Sequence, residues 1–259
     1  RYIAGTERIS RSVQDIEYQG SVLSILKVDA KLSPQIGAIK DFASGLKSLE
    51  LLNPQMIKNR AREAGDIGIG GEKLTAYLHG MSAEKRQKIL NELRKFYPRI
   101  ASGASGSVQA GWKTFKITEK FAKAANGKLE TETIHLNDGL LRLLAIISQM
   151  QSDKSFILLD EIENGINPEL VEKLMDYLAN SGRQVVVTTH SPMILNYLDD
   201  DVARKGVFLV SKDEGGTTRC ARLFKHPRTS KKLGVLGPGE VFIDSDLETI
   251  GRELEGPAL

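Results

Sequence analysis

Along the chain, short and scattered apolar runs give way after residue 135 to apolar strands that alternate with helical patterns. Residues 138–150 are rich in Leu and Ile and read as a helix. Phe156-Ile157-Leu158-Leu159 reads as a buried strand. A helix from Pro168 to about Asn180 follows, with Asn167 as its cap and Gly182 near its close. Val185-Val186-Val187 reads as a second buried strand that runs into Thr188-Thr189-His190. A short helix over Pro192 to Leu198 comes next. A hairpin over Gly206 to Ser211 and Thr218 to Phe224 completes the pattern, with Gly215-Gly216 at its turn. Near-continuous apolar strands alternating with helices predict an α/β fold whose parallel sheet is covered on both faces.

The first half is less regular. Residues 1–30 read as strand and loop. The first residue is Arg1, and Arg1-Tyr2-Ile3-Ala4 reads as the middle of a strand, so the polypeptide is expected to extend upstream. Ser33-Pro34 has the form of a helix start, and Ile36, Ile39, Phe42, Leu46 and Leu49 follow at helical spacing. Residues 65–71 are a glycine-rich loop. Ser82 caps a helix that carries Ile89, Leu90, Leu93 and Phe96 on one face and stops at Pro98. Short strands are expected over Ser107 to Trp112, Thr114 to Thr118 and Glu130 to His135, with Asn126-Gly127 at a turn.

Composition narrows the function classes. Hydrophobic residues make up 41% and charged residues 27% of the 259 residues, as in ordinary globular proteins. With 36 basic and 33 acidic side chains the net charge is +3, too balanced to argue for nucleic acid. The best local basic run, Lys225, Arg228, Lys231 and Lys232, reads as a solvated loop. The single cysteine, Cys220, excludes an internal disulfide framework and a thiolate metal cluster, and fits a reducing, cytoplasmic setting. No apolar run reaches the roughly 18 residues needed to cross a bilayer, and no secretory signal is visible, so no membrane partner is expected.

Three segments carry chemistry. The strand 156–159 ends in Asp160-Glu161, which puts two carboxylates at the carboxyl edge of a parallel sheet, where ligands of α/β proteins bind. One acid suits hydrated magnesium and the other suits polarising an attacking water. The strand 185–187 ends near His190, whose imidazole reaches the same edge if the two strands are neighbours. Leu136-Asn137-Asp138-Gly139-Leu140-Leu141-Arg142 opens a long helix, and the unpaired first amides of a helix suit an anion. Each also has a plainer reading: surface acids, a structural histidine, and an ordinary helix cap.

Together, and in this order, these segments resemble the ABC-type ATPases of the RecF-, SMC- and OLD-like group. Asp160-Glu161 resembles a Walker B motif, Asn137-Asp138-Gly139 is similar to the ABC signature, His190 resembles the switch histidine, and Asn164-Gly165-Ile166-Asn167-Pro168 resembles the D-loop. The segment Gly70-Gly71-Glu72-Lys73-Leu74 also looks like part of the helical insert of bacterial OLD-related members. The resemblance implies a P-loop NTPase-like parallel sheet with flanking helices plus a helical insert lobe. Residues 1–128 would form that lobe, with its short strands, and residues 129–259 the C-terminal ATPase subdomain. It implies ATP and Mg2+ as cofactors, with Asp160 holding magnesium through water, Glu161 as general base and His190 on the γ-phosphate. Asn137, Asp138 and Gly139 would reach ATP bound on a second protomer, and Asn167 would lie at that interface, giving a homodimer with composite ATP sites. DNA repair or anti-phage defence, with DNA and a separate effector nuclease as further partners, is the setting it implies. The alternative is a non-hydrolytic fragment or subunit that only lends its signature helix to a partner's nucleotide site.

Two departures stand out. No G-x-x-x-x-G-K-[ST] occurs in the 259 residues. Gly65-Asp66-Ile67-Gly68-Ile69-Gly70-Gly71-Glu72-Lys73 imitates it, but the lysine does not follow the last glycine and Leu74 stands where a hydroxyl residue belongs. Truncation is the simplest account, and the chain alone is expected to be inactive. Secondly, Asp138 stands where the signature often has glycine, and a carboxylate there repels phosphate unless it turns aside. Tyr2 to Arg8 has no glutamine where a Q-loop would need one. Asp244, Asp246 and Glu248 read as a helix start, with no room after them for a nuclease domain.

Overall fold

The computed structural model describes residues 2–4, 7–9, 34–154 and 156–254. Strands β1 (Tyr2–Ala4) and β2 (Glu7–Ile9) pair antiparallel with each other. Strand β3 (Leu46–Leu49) belongs to the sheet that positions the site. Strands β4 (Ile100–Ser107), β5 (Lys113–Lys120) and β6 (Lys128–Glu132) form an antiparallel sheet of their own. Strands β7 (Phe156–Leu159) and β8 (Gln184–Val187) complete the first sheet, which is parallel in the order β3-β7-β8. A hairpin of β9 (Phe208–Lys212) and β10 (Thr218–Arg222) follows.

The helix Asp138–Met150 is the spine of the fold. Every residue from Leu140 to Met150 is buried, as befits a helix apolar on nearly all sides. One continuous core surrounds it and takes Leu90 and Phe115 from one side of residue 128 and Leu159 and Leu174 from the other. A second, smaller core under the hairpin joins Ala203, Phe224, Val241 and Ile250. The helix Ala83–Phe96 begins at Ser82, whose hydroxyl accepts the Lys85 amide at 3.3 Å, and it buries Ile89, Leu90, Leu93 and Phe96 as the spacing predicts.

Several expectations need correction. The helix from Pro34 ends at Gly45, and residues 46–49 are β3 rather than its last turn. Leu46 and Leu49, three apart, keep helical spacing, whereas in the strand they fall on opposite faces. The strand is hidden in the sequence because Lys47 occupies an inward position, where it is buried against Asp66 at 2.9 Å. The strand expected over Ser107 to Trp112 lies earlier, as β4, and residues 109–111 are a turn. Its Ala-Ser-Gly sequence has little strand propensity. Gly103 is needed there because a Cβ would lie 2.7 Å from the Phe115 ring. The hairpin begins at Phe208 rather than Gly206, which closes a helix, Asp200–Gly206, that the sequence reading did not include.

The described residues cover the two faces of the parallel sheet unequally, with Phe42 of the helix Pro34–Gly45 set against Phe156 on the second face. Lys47, Leu49, Ile157 and Leu159 are buried, whereas on the opposite face Leu46 and Val186 are exposed and Phe156 and Leu158 half-buried. Beyond the hairpin, Arg228 pairs with Glu253 and Lys232 with Asp244, so half of the basic run is neutralised locally. Asp246 caps the helix Leu247–Glu253 through the Thr249 amide at 3.1 Å, as its spacing predicts. No helix among the described residues is long and apolar enough to cross a membrane.

Candidate functional site at the carboxyl edge of the parallel sheet

Because β7 and β8 are parallel neighbours, Asp160-Glu161 and His190 emerge on the same rim. The ladder continues past the strands: the Thr188 amide donates to the Leu159 carbonyl at 2.9 Å, and the Ile162 amide to the Thr188 carbonyl at 3.3 Å. The Thr188 hydroxyl donates to Oδ1 of Asp160 and accepts the Glu161 amide at 3.0 Å. The Asp160 amide donates to the Leu49 carbonyl at 3.2 Å, so all three strands hold the first acid.

Glu161 adopts φ +45°, in the left-handed region. That conformation costs a residue with a Cβ on the order of 1 kcal/mol. It persists because the amides on both sides of its peptide planes are tied to Thr188. Strain of this kind gathers at working sites. The Glu161 carboxylate is only partly covered, and its Oε1 lies 3.8 Å from Nε2 of His190, too far for a hydrogen bond. The His190 side chain is 89% exposed.

The helix tip meets the same rim. Asn137 caps the helix Asp138–Met150 by accepting the Leu140 amide at 2.8 Å. Gly139 packs on the loop after Asp160-Glu161, where a Cβ would stand 3.2 Å from the Gly165 carbonyl oxygen. From the next turn, the buried Arg142 guanidinium donates to the Asn164 carbonyl and, at 3.0 Å, to the Leu52 carbonyl. Burial lowers its pKa, while the charges of Asp138 and Glu161 act against that shift. Arg142 thus ties the helix to the segments that follow β7 and β3. Asp138 does turn aside: its Oδ1 pairs with Nζ of Lys58 at 2.9 Å. Asn167 is exposed and caps the helix Pro168–Ala179 through the Glu169 amide at 3.1 Å.

The glycine-rich loop is closed upon itself. The Glu72 carboxylate turns back into it and accepts the Gly70 amide at 3.0 Å, and Asp66 accepts the Gly68 amide at 2.9 Å. A phosphate would meet a carboxylate already in its place. A void of about 10 Å³ beneath Asp160 and Glu161, lined by Leu49, Arg142 and Ile162, is far too small for a nucleotide. A ligand would therefore lie on the open rim.

Of the sequence-predicted residues, Asp160, Glu161 and His190 come together on this rim, and Gly139 brings the helix tip with Asn137 and Asp138 against the loop that follows the acidic pair. Sequence reasoning missed four others. Thr188 sat in view beside His190, and a hydroxyl at a strand exit was the available signal. Glu163 accepts both the Thr189 hydroxyl, at 2.8 Å, and the His190 amide, at 3.2 Å. Arg142 and Lys58 act across 22 or more residues of sequence, a relation that no local pattern reveals.

Residues 132–196, about a quarter of the chain, match the family described as "AAA domain, putative AbiEii toxin, Type IV TA system". The segment that bears the acidic pair, the helix tip and the histidine is thus similar to an AAA-type ATPase domain, as its motifs imply. No curated protein matches the chain in sequence. Similar solved structures include the Smc head domain with a coiled coil and joint from Pyrococcus yayanosii. It is 18% identical, over 54% of this chain and 26% of that one, with TM-score 0.38. An SMC ATPase described for ATP-driven dimerization and DNA-stimulated activation is 14% identical, over 58% and 91%, with TM-score 0.38. The SmcHead bound to the C-winged helix domain of ScpA is 18% identical, over 71% and 54%, with TM-score 0.42. The chain spans about a quarter of the first and about half of the third.

Proposed function

We propose that this chain supplies the hydrolytic rim and the signature helix of an ATP-binding, ATP-hydrolysing site that closes between two copies of the protein. The observation that carries this is the lacing of Asp160 and Glu161 to Thr188, with His190 on the same rim and Gly139 packed against the loop that follows. Residues 129–259 provide these groups, and the first half of the chain adds β3, the Leu52 carbonyl and Lys58 to them.

In this reading Glu161 accepts the proton of the water that attacks the γ-phosphate. Its carboxylate is partly open to solvent on the rim, and its backbone is fixed by Thr188. His190 donates a hydrogen bond to a γ-phosphate oxygen. The amides at Asn137 to Gly139 face a phosphate held by the second protomer, with the helix dipole favouring the negative charge. Asn167 lies near the contact between the copies. Asp160 and the Thr188 hydroxyl are hard oxygen donors that suit Mg2+, which usually keeps several of its waters; Mg2+ would neutralise charge on the phosphates. ATP binding then clamps the copies and hydrolysis releases them, in the cytoplasm, in DNA repair or anti-phage defence, with DNA and a separate nuclease as partners.

The test uses a protein that holds this chain together with a phosphate-binding loop. Glu161→Gln should lower phosphate release by about 10³-fold yet preserve ATP-dependent dimers in light scattering. Failure of that variant both to bind ATP and to dimerise would refute the reading. In a second reading the chain only lends its signature helix to a partner's nucleotide and hydrolyses nothing itself. Turnover by the 259 residues alone, abolished in Glu161→Gln, would exclude it.

A further inference from the structure

We infer that Glu163 is a positioning residue for His190, linking the imidazole to the loop that follows the acidic pair. The role of the imidazole rests on the nucleotide reading above; the tie itself does not. Among the described residues the His190 ring is largely free of packing: it is 89% exposed, and Oε1 of Glu161 stands 3.8 Å from its Nε2. Its place in space is therefore set by its main chain.

That main chain has left the sheet. The last ladder bonds at the exit of β8 are those of Thr188, its amide donating to the Leu159 carbonyl and its carbonyl accepting the Ile162 amide. Beyond them, the His190 amide and the Thr189 hydroxyl both donate to Oε1 of Glu163, at 3.2 and 2.8 Å. Thr189 passes the restraint on, its hydroxyl oxygen accepting the Ser191 amide at 2.9 Å. A single carboxylate oxygen thus replaces the missing strand partner at the point where the histidine projects. The other oxygen, Oε2, is buried without a hydrogen-bond partner among the described residues. A carboxylate that leaves one oxygen desolvated and unpaired is poorly chosen for stability alone.

The loop that carries Glu163 is held from its far side by Arg142, through the carbonyl of the next residue, Asn164. A displacement of the helix tip would therefore move the loop, and Glu163 would carry the displacement to the histidine. The path consists of contiguous hydrogen bonds, so its coupling is open to measurement.

Hydrogen exchange on the 259-residue chain tests the tie without any nucleotide. Glu163→Ala should speed exchange at the His190 amide by about tenfold, with β7 and the helix Asp138–Met150 unchanged. Glu163→Gln, which keeps an acceptor oxygen, should restore most of the protection. Thr189→Val, which removes one donor and little volume, gives a second route should the alanine variant fold poorly, and should loosen residues 189–191 to a lesser degree. In protein that also contains a phosphate-binding loop, Glu163→Ala should lower kcat by about a hundredfold with little change in KM, and glutamine should rescue it. Unchanged exchange at His190 would overturn the tie. Altered exchange with unaltered kcat would overturn the positioning role. Absence of turnover in the wild-type protein would count against the nucleotide reading, leaving the exchange arm to decide the tie.

Discussion

The ammonium of Lys58 lies 2.9 Å from Oδ1 of Asp138, the residue that stands where the resembled signature often has glycine. The lysine stands just past the short helix Pro54–Ile57, and in the proposed reading its charge offsets the carboxylate where a phosphate would approach. Lys58→Ala should leave Asp138 uncompensated and weaken ATP-driven dimerisation by about tenfold, while Asp138→Asn should weaken it far less. Stability should change by less than about 1 kcal/mol, since Asp138 is half-exposed. Dimer dissociation constants for both single variants and the double variant check this; additive effects would show that the two residues act apart.

Arg142→Met should destabilise the fold by about 3 kcal/mol. The substitution keeps the volume of the stem but strips the donors from the Asn164 and Leu52 carbonyls. Urea unfolding should show a lower midpoint at unchanged slope. A midpoint within error of wild type would mean that water replaces the guanidinium without loss.

Replacing the left-handed Glu161 by glycine removes a conformational penalty and should raise stability by up to about 1 kcal/mol, or about 2–4 °C in Tm for a chain of this size. Turnover should vanish in the same variant. A fall in Tm would show that the Glu161 side chain contributes more to folding than its backbone costs.

The Lys47–Asp66 pair gives a pH signature. The hydrogen bond from Lys47, only partly opposed by desolvation, holds the Asp66 carboxyl below its ordinary range. A carboxyl more acidic in the folded than in the unfolded chain adds stability above its unfolded pKa of about 3.9, and that gain is lost as pH falls through the folded value. Wild type should therefore melt above Asp66→Asn at pH 7, and the gap should have closed at a pH below the folded value. It should be modest, because the Asp66 side chain is 45% exposed. Melting curves at the two pH values check it; a gap that widens in acid would contradict the pairing.

The second half of the fold was legible because its signals are local. An apolar quartet ending in Asp160-Glu161, an Asn cap before Pro168, and a valine run before His190 each state their own structure. The first half was harder to read. Lys47 masked β3, since an inward lysine is read as outward until its partner Asp66 is known, and β4 carries almost no propensity and forms by pairing with β5. Within the site, the residues that bear reactive groups were visible, whereas those that hold them in place were not. Glu163, Arg142 and Lys58 take their meaning from carbonyls, amides and a carboxylate that the fold alone brings near.

The Glu72 carboxylate folded into the loop of residues 65–71 has an engineering consequence. Installing a threonine at Leu74 would supply the hydroxyl of a nucleotide-gripping motif without creating one, because Glu72 would still part the last glycine from Lys73 and its carboxylate already takes the Gly70 amide. A designer would have to evict that guest first, and the loop would then lose the support that shapes it.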